Sequence, residues 1–212
     1  MYLLAQHVQT KGIEVESTQK YPNPYTKQPL RAMQRFSANQ CSKIVNSAFN
    51  VFINYRRTDS KRTIAPLLHD YLVNLGVKPF LDTVGMKPGH GLFDHIEEAI
   101  RGCKVGVAVL SPGYCDSYFC LHELALLSES KKRVVPIFYD IKPSQLLVKD
   151  SARYPHSVLR RFRLALEETK YTVGLTFDSS KGDWSELLRK ASDAVLMNLK
   201  EVEDEENRIR LR

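Results

Sequence analysis

Two short stretches of this chain hold the residues best placed to do chemistry. Asn50-Val51-Phe52-Ile53-Asn54-Tyr55-Arg56-Arg57 is an apolar run that ends in two guanidinium groups, and Phe119-Cys120-Leu121-His122-Glu123-Leu124 carries a single carboxylate. Guanidinium groups grip phosphates through paired hydrogen bonds, and a carboxylate can hold sugar hydroxyls or stabilise developing positive charge. The two stretches read as the halves of a site for an anion and a ribose. Rival chemistries lack their signatures. No G-x-G-x-x-G follows the first apolar run, and neither a Walker-type phosphate loop nor a G-x-S-x-G elbow is present, which argues against a Rossmann dehydrogenase and a serine hydrolase. His90 and His95 have no thiol or carboxylate at ligand spacing, so no metal is expected. Cys41, Cys103, Cys115 and Cys120 form no C-x-x-C pair and read as reduced thiols of an intracellular chain. Cys120 has no basic neighbour to activate it and reads as a buried structural thiol.

The elements that must position these groups follow from periodicity. Residues 49–55 form a strand-type run, and Ile64, Leu67, Leu68, Tyr71, Leu72 and Leu75 recur at helical spacing up to Gly76. Residues 77–81 give a second strand, 82–91 a loop with Gly85, Pro88, Gly89 and Gly91, and 92–100 a helix. An apolar strand over 104–110 precedes a helix marked by Leu121, Leu124, Ala125 and Ser128. Residues 134–139 give a fourth strand whose Pro136 is awkward for a central position. A helix through Val158 and Leu166, a short edge strand within 171–177 and a last helix from Trp184 to Leu199 complete the pattern. This alternation predicts an α/β fold with a parallel sheet of about five strands and helices on both faces. In such a sheet ligands bind beyond the carboxyl ends of the strands, which selects Arg56 and Arg57, the loop 82–91, and residues 111–123.

Each candidate also has a plain structural reading. With a helical step of about 100° per residue, Glu123 lies away from the stripe of Leu121, Leu124, Ala125 and Ser128. Periodicity alone therefore makes it a solvated residue that faces off the core. Arg56 suits a pyrophosphate and equally suits a surface ion pair. Phe52, Ser111, Tyr114 and Phe119 could wall a base and ribose, although Phe52 is as readily plain core.

Composition sets the outer limits. A 212-residue chain has room for one domain of ordinary size plus tails, and the expected division is a flexible extension at 1–48, a domain at 49–199 and a charged, frayed tail at 200–212. The prolines of Tyr21-Pro22-Asn23-Pro24-Tyr25, with Pro29, break any element before residue 47. The opening Met1-Tyr2-Leu3-Leu4-Ala5 is too short for a signal peptide, and no apolar run approaches a membrane span, so no membrane partner is expected. The net charge of +7 is mostly dispersed, with one local cluster at Arg153, Arg160, Arg161 and Arg163. It allows a nucleotide or a weak nucleic-acid contact without demanding either.

The ordered series F-x-V-F-I-x-Y-R, G-V-x-x-F-L-D, E-E-A-I, V-x-V-L-S-x-x-Y, F-C-L-x-E-L and V-x-P-I-F-Y-D-x-x-P-S, spread over residues 49–199, resembles the Toll/interleukin-1 receptor (TIR) domain of the plant type. With no nucleotide-binding module or leucine-rich repeat in the sequence, the resemblance is to TIR-only proteins. It implies a flavodoxin-like sheet and a role in plant innate immunity as an NAD(+) hydrolase and cyclase, with NAD(+) as substrate and no cofactor. Nicotinamide would be released with ADP-ribose or a cyclic variant. Glu123 stands at the position of the family's catalytic glutamate and Arg56 at its S-F-R-G arginine. Asp82, Gly85, Lys87 and Gly89 fall in the family's BB loop, which packs on a neighbouring domain and ties catalysis to self-association through TIR–TIR contacts. Further implied partners are other TIR proteins and lipase-like immune signalling complexes that respond to the products, in the cytoplasm and also the nucleus. A non-catalytic adaptor acting by homotypic association is the alternative, and a nucleic-acid-processing assembly is a third. Three departures stand out: Arg57 replaces a usual glycine, Phe119 a usual tryptophan, and Pro66-Leu67 the Ser-His pair of plant receptors. Thr63 is the expected cap of the helix that holds Pro66.

Overall fold

The computed structural model describes residues 49–60, 64–81 and 92–211. The extension at 1–48, the loop 82–91 and the Thr63 cap lie outside the described residues.

Five parallel strands run in the order β2-β1-β3-β4-β5. They are β1 Val51–Tyr55, β2 Pro79–Phe80, β3 Val105–Leu110, β4 Arg133–Tyr139 and β5 Leu175–Phe177. Helices α1 Arg57–Ser60, α2 Ile64–Asn74, α3 Leu92–Gly102, α4 Tyr118–Glu129, α5 His156–Lys170 and α6 Trp184–Arg210 make the connections. This is the flavodoxin-like order, whose switch point falls between β1 and β3.

Alternation along the strands sends side chains to two cores. Val51, Ile53 and Tyr55 of β1, Val105, Val107 and Val109 of β3, and Ile137 and Tyr139 of β4 pack with Leu68 and Leu72 of α2 and Leu187, Ala191 and Val195 of α6. On the other face Ala108, Leu110 and Phe138 meet α4 and α5, while Phe52 and Phe80 meet α3. Gly106 of β3 lies under α4, where a Cβ would come within 2.9 Å of Leu127 Cδ1. Small residues on this face let α4 settle deeply against the sheet.

Local signals explain the boundaries. Pro66 falls in the first turn of α2, where its missing N–H costs nothing, and Gly76 closes that helix in the left-handed region at φ 78°. Ser117 caps α4 by accepting the Cys120 N–H at 3.3 Å, and Asp183 caps α6 by accepting from Ser185 and Glu186. Pro136 turns its carbonyl toward Gly174, one residue before the β5 pairing begins at Ile137, so its absent donor removes no ladder bond.

Two expectations are corrected. The stripe expected for α2 is only half buried: Ile64, Ala65, Leu68 and Leu72 form its inner face, while Leu67, Tyr71 and Leu75 are exposed. Residues 201–210 do not fray but continue α6, whose Glu203 and Glu206 hold Lys104 at 3.3 and 3.1 Å. Glu201 and Glu205 of the same segment hold Arg133, the latter at 2.6 Å.

Candidate active site

The switch point brings the end of β1, the loop after β3 and the first turns of α4 together. Asn54, fully buried in β1, donates from Nδ2 to the Cys120 carbonyl at 2.9 Å, and Tyr114 Oη donates to the same carbonyl at 3.2 Å. The Cys120 thiol donates to the Tyr55 carbonyl at 3.4 Å. Three groups thus pin the first turn of α4 over β1, one turn before Glu123.

Glu123 itself is buried, with 8% of its surface exposed. This corrects the off-core placement. In α4 Cys120, Leu121, His122, Glu123, Leu124, Ala125 and Leu127 are all buried, so the helix has no solvated face over its middle turns. A helix covered all round gives no amphipathic period to read. Burial above all, with smaller electrostatic contributions from Cys120, Glu123 and Cys115, pushes the Tyr114 phenol well above its ordinary pKa. Tyr114 is therefore a neutral hydrogen-bond donor at this site.

The arginine end of β1 is organised by a residue that sequence reasoning passed over. Asp59, in the short α1, accepts from Ser111 Oγ at 2.7 Å, the Gly113 N–H at 3.0 Å and Thr58 Oγ1 at 3.0 Å. It also pairs with Arg56 Nη1 at 3.3 Å. Burial alone would raise its carboxyl, but the bonds from Ser111, Thr58 and Gly113 and the charge of Arg56 outweigh that and hold it below the ordinary value. Two of its partners, Ser111 and Gly113, lie more than fifty positions away, at a spacing no local pattern reveals.

The remaining candidates separate. Phe52 is core, fully buried and stacked on Phe80 at 5.3 Å on the α3 side, so it does not wall the site. Ser111 and Tyr114 are fully buried with their hydroxyls spent on Asp59 and Cys120, which makes them the site's frame. Arg57 is exposed, and Phe119 is partly buried and edge-on to Tyr118 at 5.8 Å. Asp82, Gly85, Lys87 and Gly89 lie outside the described residues. Cys103, Cys115 and Cys120 are free thiols, and burial pushes Cys103 and Cys115 up to about 11, which leaves both protonated and inert. Of the arginine cluster, Arg161 pairs with Glu129 and Arg163 with Asp150. Among the described residues no helix is long and apolar enough to cross a membrane, and no cluster of metal-ligating side chains occurs.

The model of the TIR domain matches residues 51–162. Over 166 residues the chain is 51% identical to a protein of Brachypodium distachyon named probable 2' cyclic ADP-D-ribose synthase BdTIR, covering 76% of this chain and 74% of that one. It is 27% identical over 168 residues to TMV resistance protein N of Nicotiana glutinosa, covering 72% of this chain and only 15% of the longer protein. Among solved structures, the TIR domains of the activated Roq1 resistosome align with a TM-score of 0.61 at 24% identity, over 69% of this chain and 99% of that one, a likeness of fold. Sheet order, the family match over residues 51–162 and 51% identity over three quarters of the chain converge: the chain belongs to the TIR domain family.

Proposed function

We propose that this protein cleaves the glycosidic bond of NAD(+), releasing nicotinamide and either ADP-ribose or its cyclised form, with Glu123 as the residue that stabilises the transition state. The observation that carries the reading is the Glu123 carboxylate, buried in α4 beside the switch point of the sheet. Half-identity to a protein named as a cyclic ADP-ribose synthase supports the substrate class.

The chemistry needs little more than this. The nicotinamide of NAD(+) is a cation that departs neutral, so the general acid of an ordinary two-carboxylate glycosidase is dispensable. What must be stabilised is the oxocarbenium-like ribose, and a negative charge held in a dry site does so more strongly than one in water. Glu123 supplies the charge, Tyr114, Asn54 and Cys120 fix the helix that carries it, and Arg56 with Arg57 faces the pyrophosphate. Self-association through the loop 82–91 completes the pocket, and the product serves as a defence signal in the cytoplasm or nucleus.

Purified protein incubated with NAD(+), with products identified by mass, tests this directly. Glu123→Gln keeps the buried volume and removes the charge, so nicotinamide release should fall by about a hundredfold or more while the melt stays cooperative. Parental release by a folded Glu123→Gln protein would remove Glu123 from the chemistry.

A further inference from the structure

We propose that Asp59 and Gly113 form a cradle that positions the Arg56 guanidinium for the pyrophosphate of the substrate, making both residues determinants of substrate affinity. This rests on the NAD(+) reading above and adds two residues to it. Asp59 offers one oxygen to Arg56 and the other to Ser111 and the Gly113 N–H, so the same carboxylate locks the arginine and the loop after β3 in one arrangement.

Gly113 supplies the independent observation. Its backbone, at φ −93° and ψ 2°, is one that any L-residue adopts, so the turn does not require glycine. Space does. A Cβ at this position would lie 1.5 Å from Arg56 Nη1, 2.7 Å from Arg56 Cζ and 2.8 Å from Asp59 Oδ2. The missing side chain of the glycine makes room for the guanidinium, whose Nη1 end points at Gly113 while Asp59 holds the same nitrogen. A bidentate donor set in this way spends less rotamer freedom on binding a phosphate than a loose surface arginine would.

Two variants separate positioning from mere support of the loop. Asp59→Asn removes the charge that orients Arg56, and Gly113→Ala leaves Asp59 intact but displaces the guanidinium by contact. Each should raise KM for NAD(+) by about tenfold or more with kcat changed by less than about twofold, since the lost interaction serves ground state and transition state alike. In an Arg56→Ala background both variants should add nothing further to KM. The side-chain Nε–H resonance of Arg56, followed by ¹⁵N NMR, should move in both single variants. That readout needs no turnover, so it still judges the cradle if the protein proves unable to cleave NAD(+). Unchanged KM, a KM effect that persists in full without Arg56, or an unmoved Arg56 resonance in folded Gly113→Ala would each overturn the proposal. Should Asp59→Asn fail to fold, Gly113→Ala carries the same test.

Discussion

The clamp between α6 and the sheet lends itself to a quantitative test. Glu201, Glu203, Glu205 and Glu206 reach back to Lys104, just before β3, and Arg133, which opens β4. Lys104 is the more enclosed cation, 28% exposed; burial works against its charge, but hydrogen bonds and attraction from Glu206 and Glu203 hold its pKa above the ordinary value. Changing all four glutamates to glutamine keeps helix propensity and volume and removes only charge. Half-exposed pairs contribute about 0.2–1 kcal/mol each, so the four are worth roughly 1–4 kcal/mol. At about 2–4 °C per kcal/mol for a domain of this size, Tm should fall by about 2–16 °C in low salt. In about 1 M salt, where charges are screened beyond about 3 Å, more than half of the gap should close. NAD(+) cleavage should be untouched, because the clamp sits at the amino ends of the strands and Glu123 near their carboxyl ends. Differential scanning calorimetry at the two salt concentrations reads the outcome. Equal melting temperatures in low salt, or a gap that salt leaves intact, would refute the electrostatic reasoning.

Gly174→Ala should destabilise the domain by about 1–3 kcal/mol or more in a urea melt, because the new methyl would lie 2.6 Å from the Pro136 carbonyl, a backbone atom that cannot swing aside. His122 is buried, and burial first, then the charge of Arg161, lowers its pKa below the ordinary histidine value of 6.5. The unfolded chain therefore binds an extra proton once pH drops below that value, so this contribution to stability is complete above it and is lost as pH falls toward the folded pKa. His122→Phe, which keeps the stack on Tyr118, should flatten the fall in Tm between neutral pH and pH about 5, and an unchanged slope would clear His122. If self-association completes the pocket, turnover per subunit should rise with protein concentration, and Gly89→Pro should depress it in a domain that still melts cooperatively; flat turnover would point to a self-sufficient monomer.

The strands and their parallel sheet were legible because short apolar runs alternate with helix-period segments; the strand order came from the family resemblance, and the motif series located Glu123. Its burial was not legible. Glu123 and His122 are polar and inside because α4 is covered on every side over its middle turns, and the sheet and neighbouring elements that cover it are invisible to a pattern read along one helix. Asp59 escaped for the same reason, since its meaning lies in Ser111 and Gly113. The outward half of the α2 stripe misled in the opposite direction, because apolar spacing reports what could be buried, not what meets a partner. The length of α6 was hidden by the acidity of residues 201–206, which looks solvated until Lys104 and Arg133 are placed beneath it.

The deep seat of α4 bears on how genetic lesions in this protein should be sorted. The segment that would carry the reaction is also a load of the fold, so inactive alleles mapping to residues 120–127 will be a mixture of two populations. Some will accumulate at normal levels and lack chemistry, as a conservative change at Glu123 should. Others, at Leu121, Leu124 or Leu127, will vanish from the cell because the helix no longer seats. Protein abundance, measured beside phenotype for each allele, tells the two apart.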